Sequence, residues 1–172
     1  MDVTTVVSSF VALAGFLLLS LAAGAPGMKF QPGSWYEALS KPGWLPPDWL
    51  FPIVWTTLYI MMGVAAWLVW QAAGFALGGP VLGLFVLQLA ANAMWSWIFF
   101  GRHRIGLALV DALVLLALVV ATTVGFWRFS RPAGVLMSPY AAWVAFAVLL
   151  NLSIWRRNRR PGRGRAGGTS RG

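Results

Sequence analysis

Apolar side chains run almost unbroken through long stretches of this chain, and the few polar positions between them set the expected architecture. No charged residue occurs between Asp2 and Lys29, between Asp48 and Arg102, or between Arg131 and Arg156. Each gap exceeds the roughly 20 apolar residues a helix needs to cross a bilayer's hydrocarbon core, and the middle gap is long enough for two crossings. The pattern predicts spans over about residues 4–26, 47–71, 80–100, 105–127 and 133–155. The first ends in Ala23-Gly24-Ala25, which resembles a signal-peptidase site. Its leading residues include Asp2 and no Lys or Arg, its apolar run is longer than a signal core, and Pro26 follows the would-be cut, so it reads as a retained helix. The second span starts near Pro47, where proline at the first helical position costs no hydrogen bond, and Pro52 predicts a kink in its opening turns. Gly74, Gly78, Gly79 and Pro80 predict a tight turn before the third. The expected fold is an all-α integral membrane protein: a five-transmembrane-helix bundle over residues 1–158, with a short structured loop between helices one and two. Residues 159–172, rich in Gly and Arg and without apolar periodicity, read as a disordered basic tail.

Composition supports a bilayer as solvent. The chain is 59% hydrophobic and 10% charged, against about 25% charged residues in ordinary soluble domains. Thirteen Lys and Arg oppose four Asp and Glu. The excess sits largely in the tail, so no nucleic-acid partner is expected; the tail reads first as a topology determinant held against anionic lipid. Five spans place Arg128 and Arg131 on one side of the membrane. Lys29, Lys41, Arg102, Arg104 and the tail arginines lie on the other, so the positive-inside rule puts the C-terminus and the first loop in the cytoplasm. A bacterial inner membrane is the expected location, because no targeting leader is recognised. The absence of cysteine removes disulfides, thiolate metal sites and a cysteine nucleophile.

Eleven tryptophans call for an explanation beyond interfacial anchoring, which suffices for Trp70, Trp127 and Trp155 at span ends. Trp55, one turn before Tyr59, and Trp143, close to Tyr140, lie well inside their spans and can face the bundle interior, although helix packing alone explains either one equally well. Gln88, Asn92 and Trp95 share a face of the third span. Asp111 lies two turns into the fourth; an ionised carboxylate at mid-helix costs about 2.5–3.5 kcal/mol, so it should be protonated, hydrogen-bonded or turned toward a wet cavity. His103, the single histidine, stands between two arginines in a short loop and reads as solvated or facing headgroups, with axial ligation of haem iron as the lesser alternative. No metal site is supported, since no partner stands at ligand spacing, and no nucleophile triad, carboxylate pair or phosphate loop marks a hydrolase or kinase.

The first loop, WYEALSKPGWLPPDW, gathers Trp35, Tyr36, Trp44 and Trp49 around Pro42, Pro46 and Pro47. Stiffened by its prolines, it is expected to lay Trp35, Tyr36 and Trp44 over the cytoplasmic mouth of an intramembrane cavity. Flat rings favour a flat conjugated ligand, gripped by stacking worth about 0.5–1.5 kcal/mol per pair, with Lys41 placed to meet an acidic rim group such as a propionate.

These residues carry a resemblance. WYEALSKPGWLPPDWLFPIVWTTLY, NAMWSWIFF at Asn92–Phe100, ALVDALV at Ala108–Val114 and PYAAWVAFAVLLNLSIWRRN at Pro139–Asn158 resemble, in order and spacing, the translocator protein family, called tryptophan-rich sensory proteins in bacteria and also known as the peripheral-type benzodiazepine receptor family. The resemblance covers about Ser34 to Asn158. It implies a five-helix membrane protein, usually a homodimer, that binds porphyrins and other tetrapyrroles, with sterols and synthetic ligands in some members. No cofactor is obligatory; porphyrin or haem enters as ligand. The implied ligand-binding residues are Tyr36, Trp44, Trp55, Asn92, Trp95, Asp111 and Trp143. The family's cholesterol-recognition pattern is incomplete here, because Leu149 to Arg156 contains no tyrosine, which puts sterol binding in doubt. Gly79 and Gly83 form a small-xxx-small pair suited either to close helix approach in a dimer or to a simple turn and packing contact.

The favoured function is a membrane-embedded binding and sensory protein for tetrapyrroles that signals or limits their accumulation. The alternatives are a transporter of porphyrins or sterol-like molecules, for which no repeated broken helices are seen, and light-driven porphyrin degradation, in which Trp55 and Trp143 would donate electrons. Otherwise no catalytic residues are expected.

Overall fold

A computed structural model describes residues 3–159, and among these the chain forms helices and short connections without strands. Helix α1 covers Val3–Ala23, α2 Ala25–Lys29, α3 Ser34–Glu37, α4 Leu50–Ser96, α5 Ile105–Phe129 and α6 Arg131–Asn158; a π-helical turn, Trp97–Gly101, closes α4. The expected basic tail, beyond Arg159, lies outside the described residues.

Helix α4 and its π-turn form one helical run of 52 residues. Laid straight it would measure about 78 Å at 1.5 Å per residue, far more than the ~30 Å hydrocarbon core. Instead it folds back on itself at Gly74, whose φ of 59° and ψ of −169° belong to a region open essentially to glycine alone. Hydrogen bonds from Tyr59 to Asn92 and from Gln88 to Met62 join residues placed symmetrically about this reversal. The two limbs are therefore antiparallel, and they are the second and third spans. Two boundaries differ from expectation. Gly78, Gly79 and Pro80 are helical, because Gly74 alone turns the chain. Pro52 produces no kink, since it occupies the first turn of α4, where a backbone N–H has no intrahelical acceptor; Gly74 is the one non-helical position within the helix. Gly74→Ala should lower the unfolding midpoint in detergent, at a cost of about 1–3 kcal/mol, whereas Gly15→Ala within α1 should not. An added Cβ meets nothing within 4 Å at either site, so the difference isolates the backbone.

In a bilayer helices gain no hydrophobic driving force from meeting one another, so close packing and hydrogen bonds must hold them. Helix α1 is the clearest case, since Ser20 is its only buried residue. It seats on the first limb of α4 at Gly63, where a Cβ would come within 2.9 Å of Leu17 Cα. Toward its N-terminus, Trp67 Nε1 donates to the Ser9 carbonyl at 3.1 Å and Gln71 Nε2 donates to Ser9 Oγ at 2.6 Å. The helix itself ends at Ala23, and α2, with Pro26 in its first turn, carries the apolar run on to Lys29. Helix α6 begins where Ser130 Oγ accepts the Ala133 N–H at 3.4 Å, and Arg156 and Arg157 in its last turn complement the helix dipole. Met62, Val69, Phe85, Val119, Phe126, Met137 and Tyr140, from both limbs of α4, α5 and α6, are fully buried at the centre.

Candidate ligand-binding site

Between Phe30 and Leu50 the chain makes no long helix. Helix α3 is a single turn, and Pro42, Pro46 and Pro47 fix φ and remove backbone donors. The segment lies as a lid across one end of the bundle: Tyr36, Leu39 and Leu45 pack with Ile98, Phe99, Ala108, Leu150 and Ile154. Tyr36 is buried and meets Phe99 and Phe100 edge-on, with centroids 6.1 and 5.5 Å away. Two consecutive phenylalanines reach the same ring because they lie in the π-turn, in which the Arg102 N–H donates to the Trp97 carbonyl, five residues back, at 2.8 Å. Such turns recur at functional sites. Lys41 Nζ lies 4.3 Å from the centre of the Tyr36 ring. Burial, and secondarily the Asp48 carboxylate, push the Tyr36 phenol above its usual range, so it stays neutral.

Two sets of contacts lead from the lid into the bundle. Trp44, half-exposed, packs edge-on against Phe146 at 5.6 Å; Phe146 lies 5.4 Å from Trp143, and Trp143 lies 5.9 Å from Phe51. Trp95 stacks on Phe99 at 5.0 Å. Its Nε1 donates to Asn151 Oδ1 at 3.1 Å, with the amide oriented so that its nitrogen donates to the Ile105 carbonyl at 3.2 Å. Deeper, Trp55 stacks on Tyr59 at 5.5 Å and meets Tyr140 edge-on at 6.2 Å. A buried polar chain adjoins these rings. Tyr59 Oη donates to Asn92 Oδ1 at 2.6 Å, Asn92 Nδ2 donates to Tyr140 Oη at 3.3 Å, and Tyr140 Oη donates to Gln88 Oε1 at 2.9 Å.

Of the seven residues expected from the sequence, Trp44 and Trp143 fall in one row of rings, Trp55 and Asn92 share Tyr59 and Tyr140, and Tyr36 and Trp95 share Phe99. Asp111 shares no hydrogen bond or ring contact with them. It is half-buried on α5, and its Oδ2 is buried without a hydrogen-bond partner. His103 stacks on Trp35 at 4.2 Å in the exposed loop between α4 and α5. Within each row neighbouring rings are in contact. An apolar cleft of about 870 Å³ lies at the opposite end, between α1 and the second limb of α4; none of the seven residues lines it. Among the described residues no group of three or more His, Asp or Glu comes together as a metal site.

Several residues escaped the sequence reading. Phe51 and Phe146 stand one turn from Trp55 and Trp143, a spacing that was available to find them. Asn158 had no such signal, because its partner is backbone. Its side chain accepts from the Ser40 N–H at 3.0 Å and donates to the Ser40 carbonyl at 3.0 Å, fastening the lid to the end of α6. Asn158→Ala should raise the exchange rate of the Ser40 amide about tenfold, the equivalent of two hydrogen bonds at roughly 0.5–1 kcal/mol each, as hydrogen-exchange mass spectrometry would read.

Comparison with known proteins agrees with this architecture. Residues 9–156 match the model of the TspO/MBR family. Protein CrtK of Rhodobacter capsulatus is 42% identical over 154 residues, covering 87% of this chain and 94% of that protein. The human translocator protein is 43% identical over 149 residues, covering 84% and 88%. The tryptophan-rich sensory protein of Cereibacter sphaeroides is 40% identical over 146 residues, covering 83% and 90%. With a five-helix bundle, an aromatic lid and relatives of this closeness along most of its length, the chain belongs to the TspO/MBR family.

Proposed function

We propose that the protein binds a tetrapyrrole beneath its aromatic lid and acts as a sensor of tetrapyrrole level. The observation that carries this reading is the pair of ring rows running from Tyr36 and Trp44 in the lid to Trp95 and Trp143 in the helices. Each ring contact now made between side chains is replaced, when the lid parts, by one of the same kind with the guest, worth about 0.5–1.5 kcal/mol per pair. Opening therefore costs little once a conjugated plane is present. Lys41 stands over Tyr36 at the edge of the lid, where it can pair with a propionate. Tyr36 contributes a neutral hydroxyl, and Asn92 sits in the polar chain behind Trp55. Asp111 has no role in this arrangement.

The lid faces the cytoplasm of a bacterial inner membrane in this reading: Lys29, Lys41, Arg102 and Arg104 lie on its side, and Arg128 and Arg131 on the other. The working form is a homodimer. Its support is the second limb of α4, where a Cβ at Gly79 or Gly83 meets nothing within 4 Å, leaving a small-residue face open to a second helix.

The reading is tested by purifying the protein without added ligand, recording its visible spectrum, and titrating it in nanodiscs with protoporphyrin IX. Saturable quenching of tryptophan fluorescence at one porphyrin per chain is expected. Quenching that rises linearly with porphyrin and matches that of an unrelated tryptophan-bearing membrane protein would mean partition into lipid, and would refute it.

A further inference from the structure

At the lid end a second cleft, of about 370 Å³, opens between the start of α5 and the end of α6, apart from both ring rows. His103, Arg104, Gly106, Trp155, Asn158 and Arg159 are among its walls, and no carboxylate lines it. The Arg159 guanidinium is held 4.7 Å from the centre of the Trp155 ring, which fixes its charge at the cleft. Arg104 is the N-cap residue of the 25-residue α5 and supplies no side-chain cap, so the positive end of that helix adds to the charge of the two arginines. The cleft lies where one apolar helix long enough to cross a membrane begins and another ends, which in a bilayer is the headgroup region. Its walls also include two residues that contact the lid: His103 stacks on Trp35, and Asn158 holds Ser40 through two hydrogen bonds.

We propose that this cleft is a regulatory site for a phosphate-bearing anion, supplied by the headgroup of an acidic phospholipid, and that its occupancy holds the lid shut. Guanidinium groups match phosphate oxygens in geometry and keep their charge at every relevant pH. A phosphate between Arg104 and Arg159 ties the start of α5 to the end of α6, and with them two of the lid's contacts, at His103 and Asn158. A zwitterionic headgroup carries the same phosphate together with a fixed cation, which the arginines repel. The proposal requires no guest beneath the lid, so it stands apart from the tetrapyrrole reading.

The chain contains no cysteine. Leu39→Cys therefore introduces a sole thiol on the packed face of the lid, where the bundle covers it while the lid is shut, and it leaves in place the Ser40 backbone atoms that Asn158 binds. The rate of maleimide labelling then reports lid opening in nanodiscs of phosphatidylcholine, of phosphatidylcholine with phosphatidylglycerol, or of phosphatidylcholine with added inorganic phosphate. Phosphatidylglycerol is expected to slow labelling about tenfold, as a ligand near ten times its dissociation constant does. That slowing should vanish in Arg104→Gln/Arg159→Gln and persist in Arg156→Gln/Arg157→Gln, which removes two charges from the same helix end outside the cleft. Native mass spectrometry should show one fewer retained phosphatidylglycerol in the first pair only. Slowing by inorganic phosphate in phosphatidylcholine would support the site and assign the anion to free phosphate. Equal labelling in all three media, or equal slowing in both variant pairs, overturns the proposal. If the first pair fails to fold, Arg159→Gln alone, whose side chain is exposed, decides by the same comparison.

Discussion

Replacing Tyr140 by phenylalanine is expected to destabilise the folded bundle by about 1–3 kcal/mol, the desolvation cost of buried polar groups left without partners. One hydroxyl does two jobs here: it accepts from Asn92 Nδ2 and donates to Gln88 Oε1. Gln88 and Tyr140 are each 0% exposed, and Asn92 is 5% exposed, so neither orphaned group can turn to lipid or water. Interhelical hydrogen bonds in membranes average only ~0.6 kcal/mol, because chains unfolded within the membrane also find partners. The loss expected here is larger because one atom's removal strands two groups. Adding Gln88→Leu should therefore cost less than the sum of the single changes, since the leucine removes one of the stranded groups. Thermal or denaturant unfolding in detergent measures both. Binding is a separate readout: the phenylalanine keeps the ring that Trp55 meets edge-on, so affinity for a flat ligand should fall far less than stability.

The spans were legible because charge is so costly in a bilayer that its absence over long stretches is itself a signal, and the helices of the second, fourth and fifth spans agree with the expected ranges to within a few residues. The errors lie where local geometry overrides composition. Four turn-forming residues from Gly74 to Pro80 promised a tight turn spanning them all, yet one glycine at positive φ suffices and the helix resumes at once. Nothing in WIFFG announces a π-turn, because an extra residue per turn depends on the tertiary contact it serves, here Phe99 and Phe100 against Tyr36. Of the candidate site, the placement of some residues was legible: Trp55, Asn92 and Trp143 were singled out from their depth and spacing, and the structure puts them among interior rings and polar groups. Asp111 was singled out by the cost of burying it, a quantity that says a partner is needed without naming one. Asn158 was invisible because a side chain bonded to distant backbone leaves no pattern in sequence.

The second large effect concerns Trp55 and Trp143. Both are half-buried, and each touches other rings of the interior: Trp55 meets Tyr59 and Tyr140, Trp143 meets Phe51 and Phe146. Replacing both with alanine removes two of the planes offered to a guest. At about 0.5–1.5 kcal/mol for each lost ring contact, affinity should fall by roughly tenfold or more. A matched control is Trp97→Ala/Trp127→Ala, which removes two tryptophans that are 42% and 41% exposed and stand outside both ring rows. It should bind as the parent does, which separates loss of a site from loss of tryptophan.

The most direct measurement is the dissociation constant of protoporphyrin IX for these three proteins, followed by the Soret band so that the readout does not depend on which tryptophans remain. The account predicts parent-like affinity in Trp97→Ala/Trp127→Ala and weakening of about tenfold or more in Trp55→Ala/Trp143→Ala. Parent-like affinity in the folded Trp55→Ala/Trp143→Ala protein would contradict it, because the guest would then be bound somewhere other than beneath the lid.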